Sequence, residues 1–431
     1  VERLMGLLAN PRMRSYFFDH QPSVVWLPAL DEAGFFAATP QVIRLPEEGM
    51  LQVPVWPEGR YLVAVAGQDP DTVCEIALRL LGQRDQFDNA RAIDDIVQMA
   101  LVMPAARAAE IAKRLPTYFR MAVPQLVGLH LNQLVMKLAT HGEPVAAANL
   151  LDAALDLQSV ARPSMEGLEP QEDRYHAVGI WDGWDYCRLL QETVPALTAV
   201  TPIPVLKLLC KRLGEAVRIE MPPGDDDLSS WWRARIERGD DIRSLDVKDA
   251  LVNAVRDCAS TIIDQNPLMS SDVLSILQDY PLSIFTRIVL HILADHHDVE
   301  SDRASALLAD RDLFDEIRVS HEYWRLMEAR FGDLSSDLSS AILDWISEGP
   351  NVDKMIEGHR HWYGDAPNEE LVTVWVDRWR LEKLEPIHQF VSGQWLERYE
   401  ELAAEYGVPE TPGEARTPKI FRGPVAEKGR V

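Results

Sequence analysis

Cysteine is scarce: Cys74, Cys187, Cys210 and Cys258 are the four in 431 residues, and none stands in CxxC spacing. Thiols this few and this scattered make neither a disulfide framework nor a zinc knuckle, and they fit a reducing, cytoplasmic setting. Cys258 falls on the stripe Val247, Ala250, Leu251, Ala254, Val255, Cys258 and Ile262, where a small core residue is the expected role. Basic charge is short as well, with 43 Lys+Arg against 68 Asp+Glu and a formal net charge of −25. A chain of that sign repels phosphate on average, which argues against nucleic acid and anionic membrane as partners. No uninterrupted apolar run approaches the roughly 20 residues of a membrane-crossing helix. The local signatures of chemistry are missing too: there is no GxxxxGK[ST] loop, no GxGxxG after a strand, no GxSxG elbow and no Cys–His nucleophile pair. A site assembled from distant helices survives these absences, but the expectation falls to no catalytic residue and no cofactor.

What fills the chain is helix after helix. Apolar residues make up 47% of it, ample for packed cores. Residues 1–60 stand apart: Pro22, Pro28, Pro40, Pro46, Pro54 and Pro57 interrupt them, with Trp26, Phe35, Phe36 and Trp56 between. Proline that frequent prevents long helices while the aromatics supply burial, so an irregular lead-in is expected, with one short helix near 24–33 ended by Gly34. Residues 61–158 read as an array of helical hairpins. Asp69-Pro70 is an N-cap followed by a first-turn proline, and Val73, Ile76, Ala77, Leu80 and Leu81 then form one stripe. Residues 159–174 form a boundary before a helical pair at 175–218. A second break at 219–228, with Asp225, Asp226 and Asp227 as a solvated capping loop, leads into another array at 228–406. Residues 407–431 read as a linker cut short, and the start lacks both Met and a leader pattern, so a piece of a longer chain is expected. No fixed-period consensus aligns the units. The expected fold is all-α, an irregular HEAT-like α-solenoid behind a proline- and aromatic-rich non-repetitive segment.

Two groups of residues invite a function. His291, Asp295, His297 and Asp298 lie near the end of one apolar helix, where imidazoles and carboxylates a turn apart are able to share a metal. The pair His297-Asp298 is similar to the dyad of the all-helical HD phosphohydrolases, which implies a metal-dependent phosphohydrolase as the alternative function. Val299 and Glu300 stand where the glycine and lysine common in that family would follow. The plainer account makes His291 and Asp295 an i,i+4 pair and leaves His296 and His297 at the negative end of the helix dipole. His359 and His361 flank Arg360 and are expected in a polar loop; His321-Glu322 lacks the second histidine of HExxH and carries no weight. Trp231, Trp232 and Trp362 form the second group, as candidate anchors for a protein partner. Val372, Trp375, Val376 and Trp379 share one helical face and are expected in the core.

The opening residues carry a resemblance. Phe17-Phe18, Trp26-Leu27-Pro28-Ala29-Leu30, Gly34-Phe35-Phe36, Trp56-Pro57, Tyr61-Leu62, Pro70 and Val73 resemble the start of a helical region in large bacterial proteins, some of them linked to defence and to NTPase modules. Gly349-Pro350, Trp379, Leu381, Leu384, Tyr399, Leu402, Gly407 and Gly423-Pro424 match in the same order. The resemblance implies a cytoplasmic scaffold or sensing segment whose partner is another protein or a flanking domain of the same polypeptide.

Overall fold

The computed structural model describes residues 6–20, 22–45, 50–83, 88–120, 128, 130–161, 175–221, 227–237 and 246–409. Among them the fold is all-helical apart from two short antiparallel hairpins. The chain divides into two compact units, residues 1–223 with 243–262 and residues 224–242 with 263–431. The helix Val247–Gln265 therefore contributes mainly to the first unit and only its last residues to the second.

In the first unit the lead-in is tied down by aromatic rings. Phe18, the buried residue of the helix Pro11–His20, meets Phe17, Phe35, Phe36 and Tyr61 at ring separations of 5.4, 5.8, 6.4 and 5.6 Å. The Tyr61 hydroxyl donates to the Ser23 carbonyl at 2.7 Å, which fixes the turn Val24–Trp26 and the helix Leu27–Glu32 behind it. Gly34 follows with a φ of 81°, a left-handed stop that glycine adopts without a Cβ penalty. The Asp69 carboxylate accepts from the Thr72 amide at 3.2 Å and starts Pro70–Leu81, whose apolar stripe is buried. Asn89 caps Ala90–Val102 in the same way and also donates to the carbonyls of Pro40 and Pro54, so one side chain begins a helix and holds the lead-in. Ala105–Ala112, Leu131–Thr140 and Pro144–Ala154 continue the array.

At 157–179 the structure departs from expectation. Leu157–Ala161 pairs with Tyr175–Gly179 as antiparallel strands, register Leu157 to Gly179, where the sequence predicts a boundary at 159–174 and a helical pair from 175. Gly179 is required there: a Cβ would come within 2.5 Å of the Tyr186 ring. Glu220, at the end of Pro202–Glu220, accepts from His176 Nδ1 at 2.8 Å, from the Ala177 amide at 3.1 Å and from the buried Lys248 ammonium at 2.6 Å, so one carboxylate joins hairpin, helix and helix. Burial pushes its pKa up, but Lys248, the Ala177 amide and His176 bring it below the usual carboxylate range. Arg212 does the same service on the other side, bonding Asp152, Asp156 and Glu215.

The second unit is built on Ser283–Asp295 and Ser320–Arg330, with Ser270–Gln278, Ser301–Leu308 and Arg311–Asp315 around them. Lys383, on Glu369–Leu384, donates to the Phe314 carbonyl, and its ammonium sits 4.0 Å from the centre of the Phe314 ring and 5.7 Å from that of Trp379. Burial pulls its pKa down to about 8. Trp375 is buried and Val372, Val376 and Trp379 are half-buried, in line with the core stripe expected there. Val352–Tyr363 corrects the expected polar loop at His359 and His361. Asn351 caps the helix through the Lys354 amide at 3.0 Å, Gly364 ends it at φ 86°, and His359 stacks on Tyr363 at 4.6 Å. Of the expected solvated capping loop, Asp225 and Asp226 lie outside the described residues, as does the tail from 410 onward, while Asp227 is buried rather than solvated.

Candidate functional site

Ser283–Asp295 is apolar around most of its circumference, with Ile284, Phe285, Ile288, Val289, Leu290, Ile292 and Leu293 all buried. A helix of that kind belongs inside a core. Its polar residues Arg287, His291 and Asp295 recur every four positions and so share a single face, which Ser320–Arg330 covers. Across that seam Arg287 meets Glu322: Nε donates to Oε2 and Nη2 to Oε1, both at 2.9 Å. The two side chains are 1% and 0% exposed. One step along, Arg325 donates to His291 Nδ1 at 2.8 Å and to Asp295 at 2.9 Å. A further step brings Arg330 Nη1 to the carbonyls of Leu293 and His296 at the helix end. The contacts advance in the same direction on both helices, which therefore run parallel.

A third element closes the seam. The strap 227–237 is held at its start by Asp227, which is buried and whose carboxylate accepts from the Ser229 amide and from the Ile284 amide, each at 2.7 Å. It is held at its end by Glu322 Oε1, which accepts from the Ile236 amide at 3.1 Å, and by Arg287, which donates to the Ala234 carbonyl. Ile236 is fully buried. Glu237 accepts from His321 Nε2 at 2.8 Å and pairs with Arg325 Nε at 3.1 Å. Burial pushes the Glu237 carboxyl up, but the His321 hydrogen bond and the charges of His321 and Arg325 outweigh it and bring the group down to about 2.

Among the described residues this is where imidazole and carboxylate groups come closest to a metal site, since ligand atoms of Glu237, His321 and Glu322 lie within 4.8 Å of one another. The donor chemistry does not fit a cation. Both Glu322 oxygens already hold the Arg287 guanidinium, Glu237 holds Arg325, and His321 turns Nε2 toward Glu237. A dication would have to displace these bonds and then sit against two guanidinium groups that are never neutral. The group is an ion-paired clamp, and what it does chemically is fix backbone.

The four residues singled out from the sequence are not gathered. His291 and Asp295 meet each other directly at 3.5 Å and share Arg325 as a partner, whereas His297 and Asp298 are exposed in the turn after the helix. His296 pairs with Asp264 at 3.5 Å. Of the three tryptophans, Trp231 and Trp362 are each 70% exposed and Trp232 is half-buried. His321-Glu322 carries no zinc motif, so spacing alone does not mark it. The signal that finds them is Arg287, a permanent charge inside an apolar helix that demands a buried anion.

Comparison with known proteins adds no relative. No family model matches the chain, and neither a curated protein nor a solved structure does. No helix is long and apolar enough to cross a membrane among the described residues.

In the first unit a cavity lined by Leu131, Asn132, Trp181, Asp185, Arg188 and Leu189 has a volume of about 10 Å³, room for one water and far below a substrate pocket. Beside it Asp94 accepts from His130 at 2.9 Å, and burial with the charge of Asp94 raises Asp95 to about 7.

The clamp has a pH signature. A carboxyl lowered on folding adds stability that is whole above its unfolded pKa and is lost as pH falls through its folded value. The stability difference between the native chain and Glu237→Gln is therefore expected to be constant above about pH 4.5 and to shrink toward about pH 2. Denaturant midpoints of both proteins across that range test it. A difference unchanged down to pH 2 would remove the charge of Glu237 from the account.

Proposed function

We propose that the chain is a non-catalytic helical scaffold segment of a larger bacterial protein, one that recognises a protein partner through the face carried by the strap. The observation behind this reading is a pinned support with an apolar tip. The short helix Ser229–Trp232 packs on Ser283–Asp295 and on the turn Ile317–Val319. It is fixed by Asp227 before it and by Ala234, Ile236 and Glu237 after it, yet Leu228, Trp231 and Ile317 are 44%, 70% and 81% exposed. An aromatic anchor on a backbone already held in place needs less ordering on binding, as in preorganised interfaces. The resemblance to helical regions of defence-linked proteins supplies the setting, with helices stacked as an irregular solenoid and any energy-using module elsewhere in the polypeptide.

The test is Trp231→Ala in the full chain. Because the side chain is largely in solvent, the melting temperature is expected to stay within about 1–2 °C of native, as for ordinary surface substitutions. Affinity for a partner captured from the host is expected to fall roughly 30-fold, the equivalent of a hot spot of about 2 kcal/mol. Partners retained at native affinity would overturn the reading.

A further inference from the structure

Two of the residues that line the cavity of the first unit have incomplete hydrogen bonding. Asn132, on Leu131–Thr140, is 8% exposed. Its Nδ2 donates to Glu192, while its Oδ1 is buried and accepts from no group among the described residues. Arg188, on Gly183–Val200, gives Nη2 to Asp185 at 2.9 Å and lies over the Trp184 ring at 4.9 Å. Its Nε is buried and donates to no group among them. Asp185, Arg188 and Glu192 recur at three- and four-residue spacing and so share the face of their helix that packs against Leu131–Thr140. Trp181, also at the cavity, already gives its indole N–H to the Ala154 carbonyl, and Leu131 and Leu189 supply apolar wall. One buried acceptor and one buried donor are thus left over on residues that border the same space, and protein interiors pair nearly all such groups.

We propose that this cavity is a binding site for a single water molecule, which donates to Asn132 Oδ1 and accepts from Arg188 Nε and so bridges the two helices. The size agrees, since a volume of about 10 Å³ admits one water and nothing larger. Charge decides among occupants of that size. An anion would suit the Arg188 guanidinium but would face Asn132 Oδ1 and the carboxylates of Asp185 and Glu192. A cation would suit those oxygens and face a guanidinium that is never neutral. Water carries both a donor and an acceptor and meets both leftover atoms at once. With the bridge in place, the polar contact of Asn132 with Glu192 becomes part of a satisfied network, and such networks fix how two apolar helices pack more narrowly than leucine contacts do.

Crystal structures of the full chain test this, for the native protein, for native crystals soaked in bromide and for Asn132→Leu, at a resolution that places ordered waters. The native map is expected to show one water about 2.7–3.2 Å from both Asn132 Oδ1 and Arg188 Nε. No anomalous peak is expected there after the bromide soak. The water is expected to be lost in Asn132→Leu. Arg188→Met, at a side chain 28% exposed, removes the other partner and is expected to lose it too, which keeps the test intact where Asn132→Leu does not fold. A native cavity without density, or a direct bond between Asn132 Oδ1 and Arg188 Nε, would overturn the proposal. A bromide peak would make the site one for anions and overturn it as well. So would a water that stays in place in both variants, because neither side chain would then be holding it.

Discussion

Glu322→Ala is expected to destabilise the second unit by about 3–5 kcal/mol, the cost of leaving a buried charge without its partner. Arg287 would keep the Ala234 carbonyl as an acceptor but lose both bonds to the carboxylate, in surroundings where it is 1% exposed. The Ile236 amide would lose its acceptor at the same time, so the strap would loosen with the seam. Arg287→Met is expected to cost as much, because it strands the Glu322 carboxylate instead. The double variant Arg287→Met/Glu322→Leu is expected to recover most of that loss, since an apolar pair removes the desolvation problem from both sides. Recovery should stop short of native by roughly 1–3 kcal/mol, the penalty for the unsatisfied Ile236 amide. Denaturant titration with hydrogen exchange on residues 283–295 and 320–330 reads all three variants in the right unit. Single variants within about 1 kcal/mol of native would mean that water reaches the pair, and the clamp would lose its role.

The same pair shows where sequence reasoning carries and where it stops. Helices announced by local chemistry appear as expected: Asp69-Pro70 begins Pro70–Leu81, and Gly34 ends the short lead-in helix. Their start and stop signals lie within a turn of the boundary. The hairpin 157–179 lacks such a signal, because Gln158, Ser159, Val160 and Ala161 are all exposed and show no alternation of burial. Val352–Tyr363 is missed for the opposite reason. None of its residues is fully buried, so His359, Arg360 and His361 dominate its appearance although Val352, Met355, Ile356 and His359 share a face. The clamp is illegible as spacing: Glu322 finds Arg287 across 35 residues, and His321 finds Glu237 across 84. A charge in an apolar helix states that a partner exists and does not state where.

The lead-in carries the other large effect, and its size follows from the burial of one ring at the centre of its aromatic cluster. Phe18→Ala is expected to cost about 3–5 kcal/mol, the range for truncating a buried phenylalanine. Phe18 is the buried residue of Pro11–His20, and its ring is shared by Phe35, Phe36 and Tyr61. Without it the helix retains the Arg14–Glu58 pair, the exposed Asp19–Arg60 pair, the Phe17–Trp26 ring contact and Arg14 over the Phe35 ring. Exposed pairs add little, and Glu58 is buried, so Arg14 matters mainly as the partner that keeps that carboxylate from being stranded. The two contributions are coupled: once the helix undocks, removing Arg14 has nothing further to break. Phe18→Ala and Arg14→Ala together are therefore expected to cost less than the sum of the single variants, with the deficit near the Arg14→Ala value itself. Exchange at residues 11–20 is expected to rise to that of an unfolded segment in Phe18→Ala while residues 90–102 stay protected, because Ala90–Val102 has its own cap at Asn89 and its own buried stripe. Strict additivity of the two variants, or protection of 11–20 that survives Phe18→Ala, would show that contacts other than this ring hold the lead-in.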